Sequence, residues 1–106
     1  MPKYLVQATY TAEGFKGLQK EGASGRVEAI SKAATALGGK CEAVYWAFGD
    51  QDVIAIFDLP TPVDGAALAF AVSGSGAART RTTPLLTAAE ADAALKKSVS
   101  YRAPGK

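Results

Sequence analysis

The stretch KCEAVYWAFGDQDVIAIFDL, residues 40–59, decides the fold. Two apolar runs, 40–48 and 53–59, flank the turn Gly49-Asp50-Gln51-Asp52. Under strict alternation, Cys41, Ala43, Tyr45 and Ala47 point one way in the first run, and Val44, Trp46 and Phe48 the other. In the second, Val53, Ala55, Phe57 and Leu59 oppose Ile54 and Ile56. A hairpin with one face in water alternates apolar with polar residues. This one is apolar on both faces and needs cover on both. A chain of 106 residues supplies helices for one face and has little left for the other, so self-association is the economical cover.

Upstream, residues 3–10 (KYLVQATY) set Tyr4, Val6, Ala8 and Tyr10 against Leu5, Gln7 and Thr9, the pattern of a half-buried strand. Thr11 offers an N-cap, with Glu13 in the first turn. Phe15 and Leu18 have helical spacing, but the glycines at 14, 17, 22 and 25 oppose a continuous helix, and residues 22–25 are expected to loosen or break it. From Arg26 onward Val27, Ile30, Ala34 and Leu37 form an apolar stripe, closed by Gly38-Gly39.

Downstream, Thr61-Pro62-Val63-Asp64 is a helix start, and the helix predicted over 62–72 is apolar nearly all round. Ser73-Gly74-Ser75-Gly76 ends it. Residues 77–85 (AARTRTTPL) predict a fourth strand suited to a sheet edge. Thr87-Ala88-Ala89-Glu90 is a capping-box pattern that opens a short helix to about Lys97, and the tail, about 102–106, is expected to fray. The order strand–helix–strand–strand–helix–strand is the split βαβ arrangement of the ferredoxin-like fold. It predicts one α+β domain over 1–106: a four-stranded antiparallel sheet, both helices on one face and a short C-terminal helix beyond. Its bare face is expected to carry some combination of Val44, Trp46, Phe48, Ile54 and Ile56. Burying that face against a second copy, at roughly 1.5–3 kcal/mol per large side chain, gives a dimeric α+β barrel.

Composition removes several function classes. The net charge of +2 and the lack of a long basic run argue against a nucleic-acid partner. No basic-then-apolar leader or membrane-length apolar stretch is visible, so the expected location is cytoplasmic, without membrane association. The lone Cys41 allows no internal disulfide and reads as a small packing residue. The chain has no histidine, which excludes Ser-His-Asp and Cys-His catalysis and histidine-ligated metals within it. Neither a metal site nor a cofactor is expected.

Three segments, YLVQATYTAEGFKGLQKEG (4–22), AFGDQDVIAIFDLP (47–60) and SGSGAARTRTTPLLT (73–87), resemble the GYD-domain family of small bacterial proteins in this order. The family commonly has tyrosine before the second aspartate of the hairpin turn, where this chain has Gln51. The resemblance implies the fold of dimeric α+β barrel proteins, and with it oligomerisation. It implies little about function.

Six residues are candidates for binding a ligand. Tyr10, Tyr45 and Trp46 carry apolar area with a polar tip, which suits a pocket and an interface equally. Asp58 lies in an apolar run, so if buried it needs a partner or a raised pKa; an arginine of the fourth strand and the N-terminus of the following helix are the partners in reach of that reading. Arg79 and Arg81 share a strand face, and paired guanidiniums suit a carboxylate or phosphate. The competing reading makes them edge protection or intersubunit partners of Glu42 or Asp58. Asp50 and Asp52 read as turn residues rather than cation ligands. Residues 73–76 follow a helix rather than precede one, so they make a helix stop, not a phosphate loop.

The leading expectation is an oligomeric accessory or small-molecule-binding protein that takes a small organic acid or apolar metabolite. The alternative is a cofactor-independent oxygenase or isomerase, which needs an enclosed pocket holding Asp58, Tyr10 or Arg81 with a perturbed pKa.

Overall fold

The computed structural model describes all 106 residues. Its elements run β1 (Lys3–Tyr10), α1 (Ala12–Glu21), α2 (Ala23–Ala36), β2 (Lys40–Trp46), β3 (Val53–Asp58), α3 (Pro62–Gly74), β4 (Ala78–Leu85) and α4 (Ala88–Leu95). The four strands form one antiparallel sheet in the order β2-β3-β1-β4. This is the ferredoxin-like arrangement, with one helical layer against one face.

Local chemistry sets the boundaries. Thr11 caps α1, its hydroxyl accepting from Gly14 N–H at 3.1 Å. Gly14 has to be glycine, because a Cβ there would run into the Ala77 carbonyl. That carbonyl already accepts from the Thr11 backbone N–H at 3.0 Å. The break between α1 and α2 is narrower than glycine spacing predicts. Gly22 alone carries it, at φ +85°, and Ser24 and Gly25 lie within α2. A left-handed residue turns the chain in one step, and the next turn is free to be helical. Thr61 and Asp64 form a reciprocal capping box that starts α3, which runs two residues past the predicted end, to Gly74.

Register assigns the faces. Tyr4, Val6, Ala8 and Tyr10 of β1 share the helix-covered face with Val53, Ala55 and Phe57 of β3. Val44 and Trp46 pair with Ala55 and Val53, so they also face the helices; the sequence expectation had placed them on the bare face. A β-bulge between Cys41 and Ala43 turns Cys41 to that side as well. One extra residue on the bulged strand interrupts the alternation that sequence spacing assumes. Phe48 lies beyond β2 in the turn and is fully exposed, so it belongs to neither face.

The open face carries Leu5, Gln7, Ala43, Tyr45, Ile54, Ile56, Arg79, Arg81 and Thr83. Its apolar centre, Leu5, Ile54 and Ile56, is half-buried by neighbours within the sheet and covered by no helix. The buried core is small and sits on the other side: Tyr4, Ala34, Ala55, Phe57 and Leu59 form its main cluster.

Candidate functional site

The helices divide the covered face unequally. α2 packs over β2 and α3 packs over β4, while α2 and α3 make little contact with each other. The strip between them, above the central strands β1 and β3, is an apolar cavity of about 310 Å³. Small side chains make the room. Its floor is Val6, Ala8, Val53, Ala55 and Phe57; Ile30 and Ala33 of α2 form one wall and Leu68, Ala71 and Val72 of α3 the other. Valine or leucine at the four floor and wall alanines, Ala8, Ala55, Ala33 and Ala71, would fill much of this space.

Few polar groups reach the cavity. Tyr10, Arg26, Ser75 and Thr80 line it, and no carboxylate does. Tyr10 and Arg26 stand where the cavity meets a second, more polar recess bordered by Glu13, Lys20 and Glu21. Arg26 reaches back across the Gly22 break to Glu21, at 3.4 Å between partly exposed side chains. Such a pair contributes little to stability and is easily exchanged for another anion. Tyr10 is fixed from two sides. Its ring packs on Phe15, with centroids 5.2 Å apart, and its backbone N–H donates to the Asp52 carboxylate at 2.8 Å. Asp52 also donates its own N–H to the Ala8 carbonyl at 2.9 Å, so its place in the turn ties the hairpin to the end of β1.

The six residues singled out from the sequence do not form one site. Tyr10 lines the cavity. Trp46 lies on the same side, packed against the cluster of Ala8, Val53 and Ala78, with its indole N–H buried and unpartnered. Tyr45, Asp58, Arg79 and Arg81 belong to the open face. Sequence reading sets Arg26 beside residues 22–25, a candidate ligand loop read instead as a surface kink, and misses Ile30, Leu68 and the alanines. The signal available for them was the run of alanines at inward positions of both sheet and helices, which leaves volume empty.

Asp58 finds a different partner from the one expected. β1 lies between β3 and β4, so the β4 arginines are one strand too far away. Lys3, directly opposite on β1, donates to Asp58 at 2.9 Å and to Glu42 at 2.9 Å, and Lys40 stands 3.9 Å from Asp58. The Lys3 hydrogen bond holds the Asp58 carboxyl below its ordinary range against the opposing effect of desolvation. The same contacts, Asp58 first and Glu42 second, raise Lys3. A carboxylate with a depressed folded pKa stabilises the fold above its unfolded pKa, about 3.9, and loses that contribution as pH falls through the folded value. Asp58→Asn is therefore expected to lower the urea midpoint at pH 7, with the gap to the parent narrowing as pH falls below about 3.9 and through the depressed folded value. A constant gap between the two midpoints across that range would refute the assignment. Burial pushes the Cys41 thiol up, so it stays a protonated packing group.

A family profile described as the GYD domain matches residues 4–95. The chain belongs to the GYD-domain family. The match takes in every strand and helix described above except the first residue of β1. No curated protein and no solved structure matches the chain. No helix of this GYD-domain protein is long and apolar enough to cross a membrane.

Proposed function

We propose that this GYD-domain protein is an accessory small-molecule-binding protein, working as a homodimeric α+β barrel and holding a small apolar organic acid between sheet and helices. One observation carries the reading: an apolar cavity of about 310 Å³, floored by small side chains, with a single guanidinium at its rim. Ligand sites are typically apolar hollows of a few hundred Å³ with a small number of orienting polar groups. Arg26 supplies the anchor, because its planar fork accepts a carboxylate in two-point fashion. Proton abstraction would need a base beside the ligand. The lining supplies a phenol, two hydroxyls and a guanidinium instead, which favours holding a ligand over transforming it. The dimer rests on the open face, where Leu5, Ile54 and Ile56 have no helical cover and Tyr45 is 69% exposed. Two such faces stacked about 10 Å apart would bury these residues as a sandwich interior.

Calorimetric titration with octanoate, and with octanol as its uncharged counterpart, tests the site. Octanoate is expected to bind once per chain and roughly tenfold more tightly than octanol, since a charge-assisted hydrogen bond is worth about 1.5–3 kcal/mol. Arg26→Gln should erase the preference while leaving octanol binding as it was. Equal affinity of the parent protein for both, or binding unaffected by Arg26→Gln, would overturn the anchor.

A further inference from the structure

The C-terminal segment, residues 86–106, stands away from the domain. α4 makes at most glancing contact with any other element. The molecule extends 56 × 33 × 22 Å with a radius of gyration of 16.7 Å, where a compact chain of this length has about 13 Å. Large apolar side chains line the segment without cover: Leu86 is 65% exposed, Leu95 83%, Val99 77% and Tyr101 75%. Yet its helix is specified with care. The Thr87 N–H donates to the Glu90 carboxylate at 2.9 Å and the Glu90 N–H to the Thr87 hydroxyl at 3.2 Å, a complete capping box. An eight-residue helix is marginal in water on its own, even when capped. The capped helix carries Leu95 and is flanked by Leu86, Val99 and Tyr101, an apolar surface with no cover in its own chain.

We propose that this arm crosses to a second copy of the chain and lies over the rim of its open sheet face, in a reciprocal exchange. The inference rests on the dimer of the reading above. Three observations favour a second copy as the occupant. The arm leaves from Leu85, which pairs with Lys3 on β1, so it starts at the edge of the open face. β4 is itself a sheet edge, and its Arg79 and Arg81 are exposed with no acidic partner in their own chain. Asp92, beside the stripe of Ala88, Ala91 and Leu95 on α4, has no basic partner in its own chain either. A two-fold axis running across the strands reverses them end for end. It brings the arm of one copy to the Arg79 end of the other copy's β4, and the two vacancies match. Exchange by two-fold symmetry closes the assembly at a dimer.

Sedimentation velocity and hydrogen exchange on the full chain test this. The parent protein is expected to dimerise, with the amides of 88–101 protected in the dimer and released on dilution. The triple variant Leu95→Ser, Val99→Ser, Tyr101→Ser should weaken dimerisation by about 100-fold, as expected when apolar anchors are removed from an interface. Arg79→Glu with Arg81→Glu should weaken it by roughly tenfold, and adding Asp92→Lys should recover part of that loss. The charge series keeps the test valid if the serine variant fails to fold. Dimers whose 88–101 amides exchange freely at every concentration would overturn the arm and leave the sheet-to-sheet dimer standing. A parent protein that is monomeric at micromolar concentration would overturn both.

Discussion

Leu59→Ala is expected to lower the stability of the folded chain by about 3 kcal/mol, within the roughly 2–5 kcal/mol found for buried leucines. Leu59 follows β3 and is 0% exposed, the one large side chain in the molecule with no accessible surface. It packs with Tyr4, Ala34 and Phe57, joining β1, α2 and β3 at one point, and its N–H donates to the Pro2 carbonyl at 3.1 Å. Truncation to alanine removes the apolar contact and leaves a cavity that three elements cannot close together. The effect is large here because the core is thin: only 11 of 106 residues are buried in the single chain. A domain of this size is stabilised by about 5–15 kcal/mol in total, so the variant should melt roughly 12–24 °C lower. Val63→Ser is the control. Val63 is 76% exposed on α3, and its loss should stay within about 0.5 kcal/mol. Thermal and urea unfolding at several protein concentrations check both. The Leu59 loss should persist at every concentration, because that residue faces its own chain's core. A loss below 1 kcal/mol, or one that vanishes on dilution, would contradict this account of the core.

What the sequence shows and what it hides divide along physical lines. Element order was legible because three of the four helices begin with a threonine cap, at Thr11, Thr61 and Thr87, and because the two central strands are dense in β-branched and aromatic residues. That both sheet faces carry apolar residues was legible from residues 40–59. Which residues share each face was partly hidden. Alternation sorts a strand into two sets without saying which set meets the helices when both are apolar. Val44 and Trp46 were misplaced for that reason, and Cys41 was grouped with Ala43 and Tyr45, from which it is parted because a bulge at Glu42 adds a residue that spacing cannot reveal. The dispersal of the candidate residues has the same origin. Tyr10 and Trp46 fall on one side of the sheet, and Tyr45, Asp58, Arg79 and Arg81 on the other. Asp58 was correctly marked as a carboxylate in need of a partner, yet strand order decides the partner, and β1 lies between it and the arginines. The cavity was least legible of all. It consists of missing volume spread over β1, β3, α2 and α3, and no local motif records an absence.

That missing volume yields the second large effect. Ala55→Leu should abolish octanoate binding, reducing affinity by at least about 100-fold, while leaving the fold as stable as the parent or slightly more so. Ala55 lies at the centre of the floor, paired with Val6 on one side and Val44 on the other. Its side chain lines the cavity between Ile30 and Ala33 on one wall and Leu68 on the other. Three further carbons placed there occupy the space an apolar ligand would use, and they gain contacts with the walls at about 0.8 kcal/mol per buried methylene. In a filled core such an insertion costs about 1–3 kcal/mol through strain, so the sign of the stability change discriminates between a cavity and a packed interior. Ala33→Phe probes the same volume from α2 and should have the same two effects without touching the sheet. Titration with octanoate and urea unfolding of both variants read the two quantities separately. Variants that bind octanoate normally would place its site elsewhere. Variants that lose binding only by losing 2 kcal/mol or more of stability would mean the space is packed in solution, and that α2 and α3 close over the strip. Lost binding with stability kept is the outcome that the alanine floor dictates, because a ligand and a side chain would then compete for one volume that the fold itself leaves empty.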